Sequence, residues 1–155
     1  MTTILVLEDD PSSGFILKSI LEEEYRVILT DSPEEAVQVC DSEVLVLFIS
    51  DNQLRTSVSG LQTLQHVHPN HPHLPLLITS GTPPEGWTDI DFDCFKTLVN
   101  SARIGFLPKP FNTDDFRRAT CDLMNGTTGS SEIQKVYSDA VIFRSRSQSR
   151  AAANE

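Results

Sequence analysis

Basic residues are scarce in this chain. Twelve lysines and arginines stand against 22 aspartates and glutamates in 155 residues, a formal net charge of −10. Non-specific nucleic-acid binding depends on cationic side chains to neutralise phosphates, so this balance argues against direct DNA binding. Long apolar runs are missing as well. None approaches the roughly 20 residues that a bilayer crossing needs, so no membrane span is expected. Cysteine is sparse: Cys40, Cys94 and Cys121 are scattered and form neither a disulfide framework nor a CxxC site. They read as small core residues in a reducing compartment. The amino terminus, MTTILVLEDD, has no basic region and turns acidic at once, which is not the pattern of a secretion signal. A cytoplasmic location is expected.

What is present fits an ordinary globular chain. Apolar residues make up 39% and charged residues 22% of the sequence, and this length buries roughly two-thirds of the unfolded surface in one domain. Charge is unevenly spread. Residues 1–125 hold 19 acids and 8 bases, whereas residues 126–155 hold 3 acids and 4 bases. A domain over 1–125 is therefore expected, followed by a linker at 126–131, an extra helix at 132–143 and disorder from Ser145.

The chain alternates between two periods. Short apolar runs at Thr3–Leu7, Tyr25–Leu29, Val44–Ile49, Leu76–Thr79 and Ile104–Leu107 read as strands. Val44–Ile49 is unbroken and rich in β-branched residues, the pattern of a strand covered on both faces. Helical spacing follows each run. Pro11 and Ser12-Ser13 start the first helix, Asp31-Ser32-Pro33 the second, Gly60 the third and Asn112 the fifth. Residues 82–92, with Pro83-Pro84 and Gly86, read as irregular, so the fourth helix is expected over Asp93–Ser101. Five βα units in alternation imply a parallel sheet with helices on both faces. A closed barrel of eight such units would need more chain. The fold class is an α/β, open, doubly wound five-stranded parallel sheet.

Such sheets place ligands at the carboxyl ends of their strands. There the first strand supplies Glu8, Asp9 and Asp10, the third Asp51, the fourth Ser80 and the fifth Lys109. Taken singly, each has a plain use: Asp opens turns and caps helices, Ser sits in turns, and Lys is exposed. Together they form a chemical set. Two carboxylates about 4 Å apart repel by about 4 kcal/mol at an effective dielectric near 20, so either one holds a proton or a cation sits among them. Mg²⁺ favours one or two carboxylates, several waters and a phosphate oxygen. Lys109 then offers a point charge for phosphate and Ser80 a hydroxyl donor. This is what formation of an aspartyl-phosphate on Asp51 requires.

These pieces resemble the receiver domain of two-component response regulators over about residues 3–124. The matching segments are ILVLEDD (4–10), the apolar strand into Asp51 with Gly60 after it, LPLLITSG (74–81) and GFLPKPF (105–111). The resemblance implies a flavodoxin-like strand order 2-1-3-4-5. It makes Asp51 the phosphoacceptor, Glu8 and Asp9 the acidic pair, and Asp9 the direct metal ligand beside Asp51. The backbone carbonyl of Gln53 would complete the Mg²⁺ shell. Ser80 and Lys109 would contact the phosphoryl group, and Phe106 holds the position of the switch aromatic. The implied partners are a histidine kinase or histidine phosphotransfer protein as donor and a downstream protein as target, with room for a homodimer. Only about thirty residues follow the fifth helix, so output is expected through protein contacts. Two departures stand out: Arg55 replaces the usual proline, and the stretch from Ser80 to Lys109 is longer than usual by several residues.

Other functions fit less well. A degenerate receiver, binding partners without phosphorylation, is the alternative that Arg55 and the long 81–103 segment leave open. A phosphatase with an aspartyl nucleophile needs a second acid two positions later, where this chain has Gln53. A nucleotide binder of flavodoxin type would have its phosphates repelled by Glu8-Asp9-Asp10. The four histidines, His66, His68, His71 and His73, share one loop, but Pro69 and Pro72 break any regular face. A solvated loop is the expectation there.

Overall fold

The period-two pattern of the strands decides the layering. In β1 (Thr3–Leu7), Leu5 and Leu7 point into one apolar cluster while Ile4 and Val6 point into another. The same split recurs in β3 (Leu45–Asp51), with Phe48 on one face and Leu47 and Ile49 on the other, and in β4 (Leu76–Ser80). Alternate residues of a strand face opposite sides of a sheet, so each strand feeds two cores. With β2 (Arg26–Thr30) and β5 (Ile104–Pro108), the strands form one parallel sheet in the order β2-β1-β3-β4-β5. The structure, a computed structural model, describes residues 1–126 and 130–153.

Helices cover both faces. Leu17 and Leu21 of α1 (Pro11–Leu21) and Phe116 and Leu123 of α5 (Thr113–Asn125) close one core. The other is closed by α2 (Pro33–Ser42), α3 (Gly60–Val67) and α4 (Asp89–Ser101). Each start is chemically fixed. Asp10, Ser32, Ser59, Thr88 and Asn112 accept a backbone N–H from inside the first turn, satisfying donors that the helix itself cannot. Gly126 ends α5 at φ 69°, a left-handed conformation that suits glycine. No helix among the described residues is long and apolar enough to cross a membrane.

Several boundaries differ from expectation. Val44 lies outside β3 and is exposed, while the strand runs on through Asp51 itself. The fourth helix starts at Asp89, not Asp93, because Thr88 caps it and Phe92 is drawn into the core. Within 82–88 only Pro84–Gly86 forms a 3₁₀ turn. Cys40 and Cys94 are buried, and burial pushes the Cys40 thiol up to about 12, but Cys121 is exposed on α5.

The largest correction concerns the tail. A helix over 132–143 with disorder from Ser145 was the expectation, yet α6 runs from Ser130 to Ala153. Its last turns carry arginine, glutamine and three alanines, all good helix formers. A helix already nucleated by a docked segment extends at little further cost. Of the expected linker over 126–131, Gly126 ends α5 and Ser130 and Ser131 belong to α6, while 127–129 lie outside the described residues.

Candidate functional site

Strand ends bring the acidic residues together. Glu8 follows β1 directly, and its N–H donates to the Thr30 carbonyl at 3.0 Å, so the chain leaves the sheet in a fixed direction. Asp51 is the last residue of β3, paired with Thr79 of β4. Lys109 follows β5, and its N–H donates to the Ser80 carbonyl at 2.8 Å. Oxygens of Glu8, Asp9 and Asp51 all lie within 4.8 Å of one another, and this is the only such acid, histidine or cysteine cluster among the described residues. Lys109 Nζ reaches both buried acids, at 3.2 Å from Glu8 Oε2 and 3.3 Å from Asp51 Oδ1.

Asp10 does not join them. It caps α1, accepting the Ser13 N–H at 3.1 Å and the Ser13 hydroxyl at 2.6 Å, and these bonds hold its carboxyl below the usual range. The plain use of an aspartate is thus correct for Asp10 and not for its neighbour. Asp9 turns toward the loop between β3 and α3, where its carboxylate accepts the Arg55 N–H at 2.5 Å.

Charge in this cleft does not balance. Three carboxylates meet one ammonium, leaving two negative charges over when all are ionised. Glu8 is 4% and Asp51 6% exposed, so water does little to screen them. Burial pushes the Asp51 carboxyl up, against the pull of Lys109. Burial together with the Asp51 charge raises Glu8 likewise. Burial alone would lower Lys109, but Asp51 and Glu8 outweigh it and raise the ammonium above its ordinary value.

Among the acids of the cleft, one buried oxygen is left without a hydrogen bond: Asp51 Oδ1. Its nearest charged neighbour is the Lys109 ammonium, an ion pair at 3.3 Å. An orphaned carboxylate oxygen beside two further acids is what a hard divalent cation would satisfy. An oxygen-only donor set with two surplus negative charges fits Mg²⁺.

The walls of the site are held from below. A Cβ on Gly60 would sit 2.0 Å from the Asp51 carbonyl oxygen and 2.6 Å from Ser50 Oγ. Only glycine lets α3 begin this close to the strand end. Asn52 ties the loop between them, accepting the Leu61 N–H on its side chain at 3.1 Å and the Gly60 N–H on its carbonyl at 3.1 Å.

The remaining predicted residues stand further back. The Ser80 hydroxyl donates to the Thr82 carbonyl at 2.8 Å and accepts the Thr82 N–H at 3.1 Å. The Gln53 side chain bonds the Thr82 hydroxyl. Phe106, half-buried on β5, meets the edge of Trp87 with ring centroids 5.7 Å apart. Trp87 was not singled out as a site residue, yet its indole N–H donates to Thr82 O at 2.9 Å and lies 3.4 Å from Ser80 Oγ. Nothing in the local pattern PPEGW marks that contact. In the histidine loop, His71 pairs with Asp41 at 2.9 Å and no metal-sized cluster forms.

The family model described as response regulator receiver domain matches residues 4–120. No curated protein sequence matches. Among solved structures, a receiver domain protein from Clostridium thermocellum is 22% identical, with a TM-score of 0.67 over 82% of this chain and 97% of its own. A CheY-like receiver domain protein from Methanospirillum hungatei JF-1 is 21% identical, with a TM-score of 0.68 over 87% and 98%. The receiver domain of a sensor histidine kinase from Pseudomonas aeruginosa PAO1 is 20% identical, with a TM-score of 0.67 over 80% and 98%. That structure has a magnesium ion coordinated in its active-site cleft.

Proposed function

The chain belongs to the response regulator receiver domain family of two-component signalling, and from that premise we propose that Asp51 is its phosphoacceptor. The donor is a phosphohistidine on a histidine kinase or histidine phosphotransfer protein. One carboxylate oxygen of Asp51 attacks phosphorus, the P–N bond breaks, and the imidazole keeps the electron pair and takes a proton. The product is an acyl phosphate, which water later hydrolyses to restore the carboxylate.

Glu8, Asp9, Asp51 and the Gln53 carbonyl would hold Mg²⁺, with Glu8 acting largely through water. The ion supplies charge neutralisation, so that an anionic donor can approach an anionic acceptor. Lys109 is the fixed cation on the opposite side. Its raised pKa keeps it an ammonium at neutral pH, ready to pair with an oxygen of the transferred group. Ser80 contributes a neutral donor once its hydroxyl turns from Thr82, and Phe106 is the aromatic that responds. The domain is regulatory; the only reaction it catalyses is the gain and loss of its own phosphoryl group. Output passes to a downstream protein by contact.

The observation that carries this reading is the buried, hydrogen-bond-free Oδ1 of Asp51 in a cleft with two surplus negative charges. Incubation with a small acyl phosphate and Mg²⁺, followed by intact-mass measurement, tests it. Expected is a mass gain of one phosphoryl group that needs Mg²⁺ and vanishes in Asp51→Asn. No gain, together with no Mg²⁺ binding at millimolar metal, would instead identify a degenerate receiver that binds partners without phosphorylation.

A further inference from the structure

The chemistry at Asp51 makes no use of α6, although α6 is seated on the domain. It lies along α4, β5 and the Pro84–Gly86 turn. Ile133 and Ala140 are buried there, with Val136 and Tyr137 packed on the same core. Tyr137 stacks on Phe92 with centroids 5.6 Å apart and meets the edge of Phe95 at 6.2 Å. Two turns later, Arg144 lies 4.4 Å above the Phe92 ring. Its guanidinium pairs with the Asp89 carboxylate and donates to the carbonyls of Trp87 at 2.9 Å and Glu85 at 3.4 Å.

Trp87 is therefore held at both ends. Its carbonyl accepts from Arg144 of α6, while its indole N–H donates to the Thr82 carbonyl. That same Thr82 carbonyl receives the Ser80 hydroxyl. The ring itself is wedged edge-on between Phe95 at 5.1 Å and Phe106 at 5.7 Å. Beneath the amino-terminal half of α6 lies a cleft of about 130 Å³ lined by Phe106, Leu77, Leu123, Ile133 and Val136. Of the α6 contacts, those of Arg144 are the ones that reach Trp87.

We propose that α6 is a latch over the α4–β5 face whose hold is set by Asp51 through Ser80, Thr82, Trp87 and Arg144. The proposal rests on Asp51 being the phosphoacceptor. When Ser80 turns its hydroxyl to an anion on Asp51, it leaves the Thr82 carbonyl and frees the Thr82 N–H. The 82–87 segment then relaxes, the Trp87 carbonyl shifts under Arg144, and α6 is released from the face. Coupling between two sites is reciprocal, so whatever loosens α6 must also tighten anion binding at Asp51.

The protein carries a single tryptophan, Trp87, which reports from the middle of this chain of contacts. The test loads the full chain with beryllium fluoride and Mg²⁺. Bound fluoride is followed by ¹⁹F NMR, Trp87 by fluorescence, and α6 by hydrogen exchange at residues 133–144. Expected is a bound fluoride signal, a change in Trp87 emission and a loss of α6 protection of about tenfold, within the roughly 5–150-fold usual for coupled sites. In Arg144→Gln the α6 amides should lose protection several-fold without ligand, and beryllium fluoride should bind several-fold more tightly. Asp89→Asn, which removes the carboxylate facing Arg144, should act in the same direction. Fluoride bound with α6 protection unchanged, or equal affinity in wild type and both variants, overturns the latch and leaves the phosphoacceptor standing. No bound fluoride in the wild type overturns both.

Discussion

Two polar assemblies lie at opposite ends of the β4–α4 segment, and they are built to opposite standards. Around Trp87, each polar group has found a partner: the indole N–H, the carbonyl and the Arg144 guanidinium are all bonded. Around Asp51, a buried oxygen has no hydrogen bond, and of three clustered acids two share one lysine. Burial raises the cost of an unmet charge, so such a cleft persists only if something else repays that cost. Frustration marks the place for a ligand, and satisfaction marks the place that holds shape. Deleting a charge should therefore act with opposite sign in the two regions: stabilising at Asp51, destabilising at Arg144.

The largest effect is expected at the floor of the cleft. Gly60→Ala forces a methyl group against the Asp51 carbonyl and should cost about 3 kcal/mol or more in chemical denaturation. It should also weaken Mg²⁺ binding, because β3 must move. Lys109→Gln removes the one cation from two buried acids. Metal-free stability should fall by about 2 kcal/mol, and saturating Mg²⁺ should recover part of it.

Asp51→Asn should do the reverse. Its folded pKa is raised, and so is that of Glu8. Such acids hold protons more tightly folded than unfolded, so stability falls as pH rises from the ordinary carboxylate range through the raised values. Removing the Asp51 charge should stabilise the metal-free protein at neutral pH by about 1 kcal/mol, while abolishing phosphorylation. Thermal melts across pH would show wild type and variant converging on acidification. Lys109 adds a loss of the same direction at higher pH: its raised pKa gives stability that is complete below about 10.4 and is lost as pH climbs through the folded value.

In the satisfied region a change as small as that at Asp51, but of opposite sign, is expected. Arg144→Gln loses a partly exposed ion pair and a cation–π contact, about 1 kcal/mol in a melt. Its signature would be a Trp87 emission change larger than the stability change suggests. A stabilising Arg144→Gln or a destabilising Asp51→Asn would break the contrast between the two regions.

The frustrated region was the legible one. Apolar runs that stop abruptly at Glu8, Asp51, Ser80 and Lys109 announce the strand ends, and a parallel sheet must gather those ends along one edge. Which of Asp9 and Asp10 enters the cleft was less plain, since either can cap a helix; Ser13 lies three residues after Asp10 and takes it. The satisfied region left almost no trace. Trp87 meets Ser80, Phe95, Phe106 and Arg144 through folds of chain that no local period encodes. Serine and arginine in 145–150 also resemble a disordered tail until a docked Tyr137 and Arg144 nucleate the helix. Local patterning shows where a strand must end; it does not show what a distant helix will find to grip.

The most direct measurement is calorimetry of Mg²⁺ binding to the wild type and to Asp51→Asn, repeated in buffers of different ionisation enthalpy. A cation drawn to acids with raised pKa values must displace the protons they still hold. Binding to the wild type should therefore release protons, increasingly as pH falls toward the raised values, and Asp51→Asn should bind far more weakly. Equal binding by both proteins, or binding with no proton release at any pH, would contradict a cation site centred on Asp51.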